Sequence, residues 1–96
     1  MPYTKSQIAQ RAIRALNSGK LSDLYQARYE CKNAISLGFD EGFDEAPEIS
    51  ESDSNNAGYL MQQALGCLKT YDFTMALRYI EALRFQKVAS ALAKKA

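Results

Sequence analysis

The chain has 96 residues, of which 47% are hydrophobic and 24% are charged. This length allows one small domain with a single core and is too short for two independent ones, and the composition is typical of a globular rather than a disordered protein. The net charge of +1 hides an uneven distribution, because residues 1–37 and 57–96 each carry six basic and two acidic groups, whereas residues 38–56 carry seven acids and no base. Such segregation indicates that the acidic region folds back on a basic one, or that one of them meets a charged partner.

Side chains that commonly perform catalysis or bind metals are scarce. The chain has no histidine, which removes the commonest general base and any Ser-His or Cys-His pair. The two cysteines, Cys31 and Cys67, fall on predicted buried helix faces, where we expect reduced thiols. No stretch is apolar enough for a signal peptide or a membrane span. We therefore expect a cytoplasmic protein that is not an enzyme and binds no cofactor, metal or membrane.

The first predicted helix begins with a capping box, in which Thr4 caps the helix and Gln7 returns a hydrogen bond to the Thr4 amide. The helix runs to about Asn17, because Gly19 supplies a left-handed residue that ends it. Its apolar side consists of Ile8, Ala9, Ala12, Ile13 and Leu16.

The second predicted helix is capped by Ser22 and stops at Gly38. Its buried face consists of Leu24, Ala27, Cys31, Ala34 and Ile35, and Glu30 points away from that face. Tyr25 and Tyr29 lie on the edge between the two faces, among basic residues. This mixture is typical of binding surfaces, although the tyrosines could instead cover the rim of the core.

The acidic connector, residues 38–56, contains a short repeat of Gly, Phe, Asp and Glu. It reads Gly38, Phe39, Asp40, Glu41, then Gly42, Phe43, Asp44, Glu45. A solvated acidic loop has no use for two phenylalanines, so they either pin the connector between the hairpins or are presented to a partner. Pro47 excludes a helix that runs through the connector, and residues 50–56 read as a loop.

A third helix, capped by Asn55 or Asn56, is predicted to reach about Lys69, and a fourth to run from about Phe73 to Lys94. Residues 66–83 (GCLKTYDFTMALRYIEAL) resemble the turn and second helix of a tetratricopeptide hairpin. The small and aromatic positions of that family fall near Ala64, Phe73, Ala76 and Ile80. The resemblance implies paired antiparallel helices in this part of the chain.

The fourth helix changes its apolar face along its length. Beyond Arg84, the apolar residues Phe85, Val88 and Leu92 centre on a line about a third of a turn from the earlier stripe. A straight helix with one neighbour would not need this change. We expect the second half to pack on the first helix, and the alternative is a seam between two copies in a homodimer.

The sequence predicts an all-α domain of four helices, with antiparallel hairpins at residues 4–37 and 57–94 joined by the acidic connector. The predicted function is non-catalytic protein binding, as a small adaptor, regulator or inhibitor of a larger protein. Its candidate partner-binding residues are Phe39, Asp40, Glu41, Phe43, Asp44, Glu45, Tyr25 and Tyr29.

The alternative is a small nucleic-acid-binding regulator that uses the basic side of the first hairpin. The residues concerned are Arg11, Arg14, Lys20, Arg28 and Lys32. Against this alternative, two long helices joined by a short turn favour an antiparallel hairpin over a helix-turn-helix. Asp23 and Glu30 also weaken the positive surface that a recognition helix needs.

Overall fold

All regular structure in the described residues is helical. The computed structural model describes residues 3–42 and 48–95, which contain no strand. The helices are α1 (Lys5–Asn17), α2 (Leu21–Ser36), α3 (Glu51–Ser54), α4 (Ala57–Lys69) and α5 (Phe73–Lys95). The predicted all-α class is confirmed. The described part of the chain has five helices where four were predicted, because a short helix forms inside the acidic connector.

Helix α1 begins at the predicted capping box. The Gln7 amide donates to the Thr4 hydroxyl oxygen at 3.2 Å, and the Thr4 amide donates to the Gln7 side-chain oxygen at 2.8 Å. These two reciprocal bonds satisfy backbone donors that no helical carbonyl can reach. The helix ends at Asn17, and Gly19 adopts the expected positive φ of 74°.

The predicted cap of the second helix at Ser22 is wrong. Helix α2 begins at Leu21, and Lys20 occupies the capping position without a side-chain cap. The chain turns so tightly after Gly19 that Ser22 is already inside the helix. The hydroxyl oxygen of Ser18 accepts a hydrogen bond from the Lys20 amide at 3.2 Å, which stabilises this turn in place of a cap.

Helix α2 ends in a Schellman motif that aims the connector at the core. Gly38 has a φ of 78°, its amide donates to the carbonyl of Ile35 at 3.0 Å, and the Phe39 amide donates to the carbonyl of Ala34 at 2.9 Å. This pattern requires a left-handed residue, for which glycine carries no steric cost. The Phe39 side chain follows directly and packs against the core.

Residues 50–56, predicted as a loop, contain α3. The Ser50 hydroxyl accepts from the Asp53 amide at 3.2 Å and so caps this single turn. Asn56 then caps α4 by accepting from the Tyr59 amide at 3.1 Å, which confirms one of the two predicted caps. The predicted break at Pro47 lies outside the described residues.

One hydrophobic cluster joins α1, α2, α4 and α5. Its buried members are Ile8, Ala9, Ala12, Leu16, Leu24, Ala27, Cys31, Ala34, Leu60, Ala64, Leu68, Phe73, Ala76, Tyr79, Ile80 and Leu83. Helix α1 packs against α2, α2 against α5, and α5 against α4. The Cα radius of gyration is 13.1 Å, close to the value of about 13 Å expected for a compact chain of this size. Among the described residues, no helix has both the length and the apolar character needed to span a membrane.

The two cysteines are reduced and lie in or beside this cluster. Cys31 is fully buried and Cys67 is half-buried, and neither forms a disulfide. Burial raises the pKa of Cys31 to about 12 and the pKa of Cys67 to about 11. Both thiols therefore remain protonated at neutral pH.

The expected packing of the second half of α5 on α1 is wrong. Within the described residues, α5 makes no contact with α1, and Phe85 and Leu92 are 66% and 64% exposed. Helix α5 is too long for α1 to cover its second half. The Lys87 ammonium already lies at the α1–α2 turn, where it donates to the carbonyl of Gly19 at 3.3 Å. Residues 89–94, here called the overhang, extend past this turn and are exposed throughout.

Candidate functional site

The first residues of the acidic connector dock on the N-terminus of α5. The Asp40 Oδ1 atom accepts from the Phe73 amide at 2.9 Å and from the Thr74 amide at 3.3 Å, and its Oδ2 atom accepts from the Thr74 hydroxyl. These are the first two amides of α5, which have no partner within the helix. Asp40 therefore caps a helix that begins far away in the sequence, where a carboxylate also interacts favourably with the helix dipole.

A second carboxylate caps the same helix. Asp72 precedes α5 directly, and its Oδ1 atom accepts from the Met75 amide at 3.1 Å. Burial raises the pKa of Asp72, the bond from Met75 opposes this, and the negative charge of Asp40 adds to the rise. For Asp40, burial also acts to raise the pKa, but the bonds from Thr74, Gly42 and Phe73 outweigh it and leave the pKa below its usual value.

Two further contacts hold the connector on the α4–α5 turn. The Glu41 amide donates to the Tyr71 carbonyl at 2.8 Å, and the Glu41 carboxylate pairs with Lys5 at the start of α1. The Lys5 ammonium also lies 5.0 Å from the centre of the Tyr71 ring. Tyr71 itself has a φ of 60°, a conformation that costs energy in a residue with a Cβ atom. The connector thus contacts the turn where the backbone is strained.

The predicted partner-binding residues of the connector divide into two groups. Phe39 is half-buried against the core, and Asp40 and Glu41 bond to α5, the α4–α5 turn and α1. Phe43, Asp44 and Glu45 lie outside the described residues. The contacts of the first group are internal and hold this part of the connector on the body of the protein.

Tyr25 and Tyr29 form an exposed surface on α2, which we call the tyrosine face together with Arg84 of α5. Their side chains are 48% and 62% exposed. The Arg84 guanidinium carbon lies 5.5 Å from the centre of the Tyr25 ring and 5.0 Å from that of Phe85. Its Nε atom is shielded from solvent and has no hydrogen-bond partner in the described part of the chain. Among the described residues, the guanidinium contacts two aromatic rings and forms no ion pair with an acid.

The tyrosine face adjoins the predicted seam on α5. The Arg28 Nε atom of α2 donates to Glu81 of α5 at 2.7 Å. Arg84 lies three residues after Glu81, and it contacts Tyr25, which lies three residues before Arg28. Helices α2 and α5 therefore run in opposite directions with these residues at their contact. The exposed Phe85 ring continues the aromatic surface across the contact, so two sets of residues predicted separately lie side by side.

An open groove of about 490 Å³ runs along the outer side of α5. It is lined by Ile49, Thr74, Leu77, Arg78, Glu81, Ala82 and Phe85. Ile49 of the connector forms one wall, and the other lining residues belong to α5. We call this feature the α5 groove. It ends at Phe85, where the predicted seam of Phe85, Val88 and Leu92 begins.

Glu30 does not point away from the core as predicted. It is 2% exposed, and its Oε1 atom accepts from Arg11 at 3.0 Å and from Gln26 at 2.7 Å. Helix periodicity placed Glu30 opposite the apolar face, but α1 covers that position and supplies the cation. A buried carboxylate needs such a partner.

The predicted nucleic-acid-binding residues divide into paired and exposed cations, and Arg11 and Arg14 line one open groove beside Asp23 and Glu30. Arg11 and Arg28 pair with Glu30 and Glu81, while Arg14, Lys20 and Lys32 are exposed. The two paired arginines are engaged by acids that phosphate groups would have to displace. Residues 3–42 and 48–95 also contain no group of three or more His, Cys, Asp or Glu side chains that could hold a metal ion.

Asp72, Glu81 and Arg84 make contacts that sequence reasoning missed. Asp72 could have been found, because an aspartate directly before an apolar helix is a common cap. The sequence carries no local signal for the contacts of Glu81 and Arg84, since their partners Arg28 and Tyr25 lie on another helix. Comparison with protein-family models, with curated proteins and with solved structures found no match.

Proposed function

We propose that the protein is a non-catalytic protein-binding module, a single domain of two helical hairpins joined by the acidic connector, which acts as a small adaptor, regulator or inhibitor. The observation that carries this proposal is the tyrosine face. Exposed tyrosines beside an arginine are the side chains most enriched at the centres of protein interfaces. Tyr25 and Tyr29 are exposed and do not belong to the core cluster, so the core does not account for their position.

Arg84 indicates the chemistry of the partner. Its guanidinium is oriented by the rings of Tyr25 and Phe85, and an arginine held in this way loses little side-chain entropy when it binds a carboxylate. We infer that the partner presents an Asp or Glu side chain, or a chain terminus, to this face. The docked residues of the connector support the proposal indirectly, because they hold the N-terminus of α5 and hence the helix that carries Arg84.

Affinity capture from a lysate of the source cell, treated with nuclease and analysed by mass spectrometry, tests this function. We expect one dominant protein, and we expect Tyr25→Ser combined with Tyr29→Ser to weaken its binding at least tenfold. Both residues are exposed, so the double variant should unfold at the same temperature as the wild type. Tyr3→Ser is the matched control, since Tyr3 is also exposed but lies beside Arg11 of α1.

Two outcomes would contradict the proposal. The first is equal capture by the wild type and the double tyrosine variant, which would show that the partner uses another surface. The second is that every captured protein is lost when the lysate is treated with nuclease. This result would favour the exposed cations Arg14, Lys20 and Lys32 as a nucleic-acid-binding surface.

A further inference from the structure

We propose that the protein forms a two-fold dimer in which the α5 helices of two copies pair in opposite directions. Each overhang would then occupy the α5 groove of the other copy. This inference goes beyond the proposed function, because it concerns a contact between two copies of the chain and does not depend on Tyr25 or Tyr29, although the two surfaces meet at Phe85. It rests on the position, length and charge of the overhang and the groove.

An apolar stripe runs along the second half of α5 and continues onto the overhang. Phe85, Val88 and Leu92 follow one another at spacings of four or three residues, the spacing of residues that face a partner helix in a coiled coil. Phe85 and Leu92 are 66% and 64% exposed. The stripe therefore has the pattern of a helix contact and is exposed at both of its ends.

The groove and the part of α5 that follows it match in length. The groove spans Thr74 to Phe85 along α5, which corresponds to about 16 Å at the helical rise of 1.5 Å per residue. The stretch from Phe85 to the end of α5 at Lys95 corresponds to about 15 Å on the same basis. The two features lie end to end on one helix and meet at Phe85.

This arrangement favours a second copy over an unrelated partner. If a second α5 helix runs in the opposite direction with its Phe85 beside the first Phe85, each overhang enters the groove of the other copy. Leu92 then lies near Leu77, and Val88 lies near Ala82. Both grooves are filled by a single two-fold operation, and the contact closes without leaving a free end.

The charges of the two features are also complementary. Residues 85–94 contain Lys87 and Lys94 and no acid. Ile49, which forms one wall of the groove, is flanked in the sequence by Glu48 and Glu51, and both of these acids are exposed. Within the groove, Arg78 and Glu81 contribute one charge of each sign. A basic helix end thus meets an acidic rim, which favours this orientation.

Sedimentation equilibrium of the full chain tests the dimer. We expect the average mass to rise from 10.7 kDa towards twice that value between about 10 µM and about 1 mM, as for a modest interface. Leu92→Asp should weaken the association at least tenfold, because it places a charge among apolar groups. The control is Ser90→Asp, which adds the same charge to the overhang about 140° away from Phe85 around the helix and should weaken the association much less than Leu92→Asp, through the charge of the overhang alone.

Cross-linking gives a second, independent measurement. In a Cys67→Ser background, Phe85→Cys should form a disulfide between copies when oxidised glutathione is added, whereas Ser90→Cys should not. Residues 85 and 90 are exposed, so neither change threatens the fold. A monomeric mass at about 1 mM, equal association of the Leu92→Asp and wild-type proteins, or equal cross-linking at residues 85 and 90 would each overturn the proposal. Loss of partner capture by the tyrosine variants with an intact dimer would separate the two interfaces.

Discussion

The Oδ1 atom of Asp40 lies 2.9 Å from the backbone nitrogen of Phe73, 33 residues further along the chain. Most helix caps come from the residue directly before the helix, as Asp72 does here for Met75. Helix α5 has both kinds of cap, and the distant one comes from the acidic connector. The first part of the connector is therefore a structural element of α5 as well as a link between α2 and α4.

Removal of the distant cap should destabilise the protein. We expect Asp40→Ala to lower the free energy of unfolding by about 1–2 kcal/mol, the range found for lost helix caps. Urea denaturation followed by circular dichroism measures this change. Glu48→Ala is the matched control, since Glu48 is an exposed acid of the same connector and should change stability by less than about 0.5 kcal/mol. Equal losses in the two variants would show that Asp40 acts only through the charge of the connector.

The contribution of Asp40 should depend on pH in a defined direction. Because its pKa is lowered in the folded protein, its stabilisation is complete above the unfolded pKa of about 3.9 and is lost as the pH falls through the lower folded value. We expect the stability difference between wild type and Asp40→Asn to be constant from pH 7 to about 5 and to disappear towards pH 2. Asp72 has a raised pKa, to which the charge of Asp40 contributes, so Asp40→Asn also reduces this rise and the Asp72 effect offsets part of the expected loss. A difference that grows on acidification would contradict this assignment.

Gly42 should not accept a side chain. A Cβ atom at this position would lie 2.0 Å from the Asp72 Oδ1 atom, so Asp72 would have to move and release the Met75 amide. We expect Gly42→Ala to lower the free energy of unfolding by about 1 kcal/mol or more.

Gly66 provides the comparison for Gly42 within the same protein. It lies inside α4, and an added Cβ atom would meet no atom within 4 Å. Gly66→Ala should therefore raise the free energy of unfolding by up to about 1 kcal/mol, the difference in helix propensity. If both alanine variants change the free energy of unfolding in the same direction, the close approach of Gly42 to Asp72 does not determine the effect of Gly42→Ala.

Loss of Arg11 should be more damaging than loss of Arg14. Arg11 pairs with the buried Glu30 at 3.0 Å, and its removal leaves a carboxylate without its cation, whereas Arg14 is exposed on the same helix. We expect Arg11→Ala to lower the melting temperature more than Arg14→Ala does, and Arg11→Ala combined with Glu30→Gln to recover part of the loss. Thermal denaturation of the four proteins at one pH provides the comparison.

Both cysteines should react slowly in the folded protein. At pH 8, thiols with pKa values of about 12 for Cys31 and about 11 for Cys67 carry very little of the reactive thiolate. We expect iodoacetamide to modify the native protein at least about 100-fold more slowly than an unfolded chain with thiols of pKa about 8.5. Cys67, which is half-buried, should react before Cys31, and the reverse order would contradict the burial of Cys31.

Features set by neighbours in the sequence were predictable. The capping box of Thr4 and Gln7 and the cap at Asn56 were predicted, because each depends on residues three positions apart. The apolar periodicity likewise identified the buried apolar residues of α1 and α2. The short helix α3 was missed because a loop-rich composition can still form one turn when Ser50 supplies the cap.

Features set by distant residues were not predictable. Glu30 was placed on an exposed face because the periodicity of α2 contains no information about α1, which carries Arg11. The role of Asp40 could not be inferred either, since an acid beside Phe39 looks like a solvated loop residue until α5 is placed next to it. The tyrosines were identified as an exposed edge, but their proximity to Arg84 depends on the packing of α2 against α5.

The two caps of α5 also determine when its amides are protected from hydrogen exchange with water. The amides of Phe73 and Thr74 donate to Asp40, whereas the Met75 amide donates to Asp72 within the same turn. If the connector detaches while α5 remains helical, the first two amides become exchangeable and the third does not. The ratio of their exchange rates therefore reports how often the connector leaves the body of the protein, at the resolution of single residues.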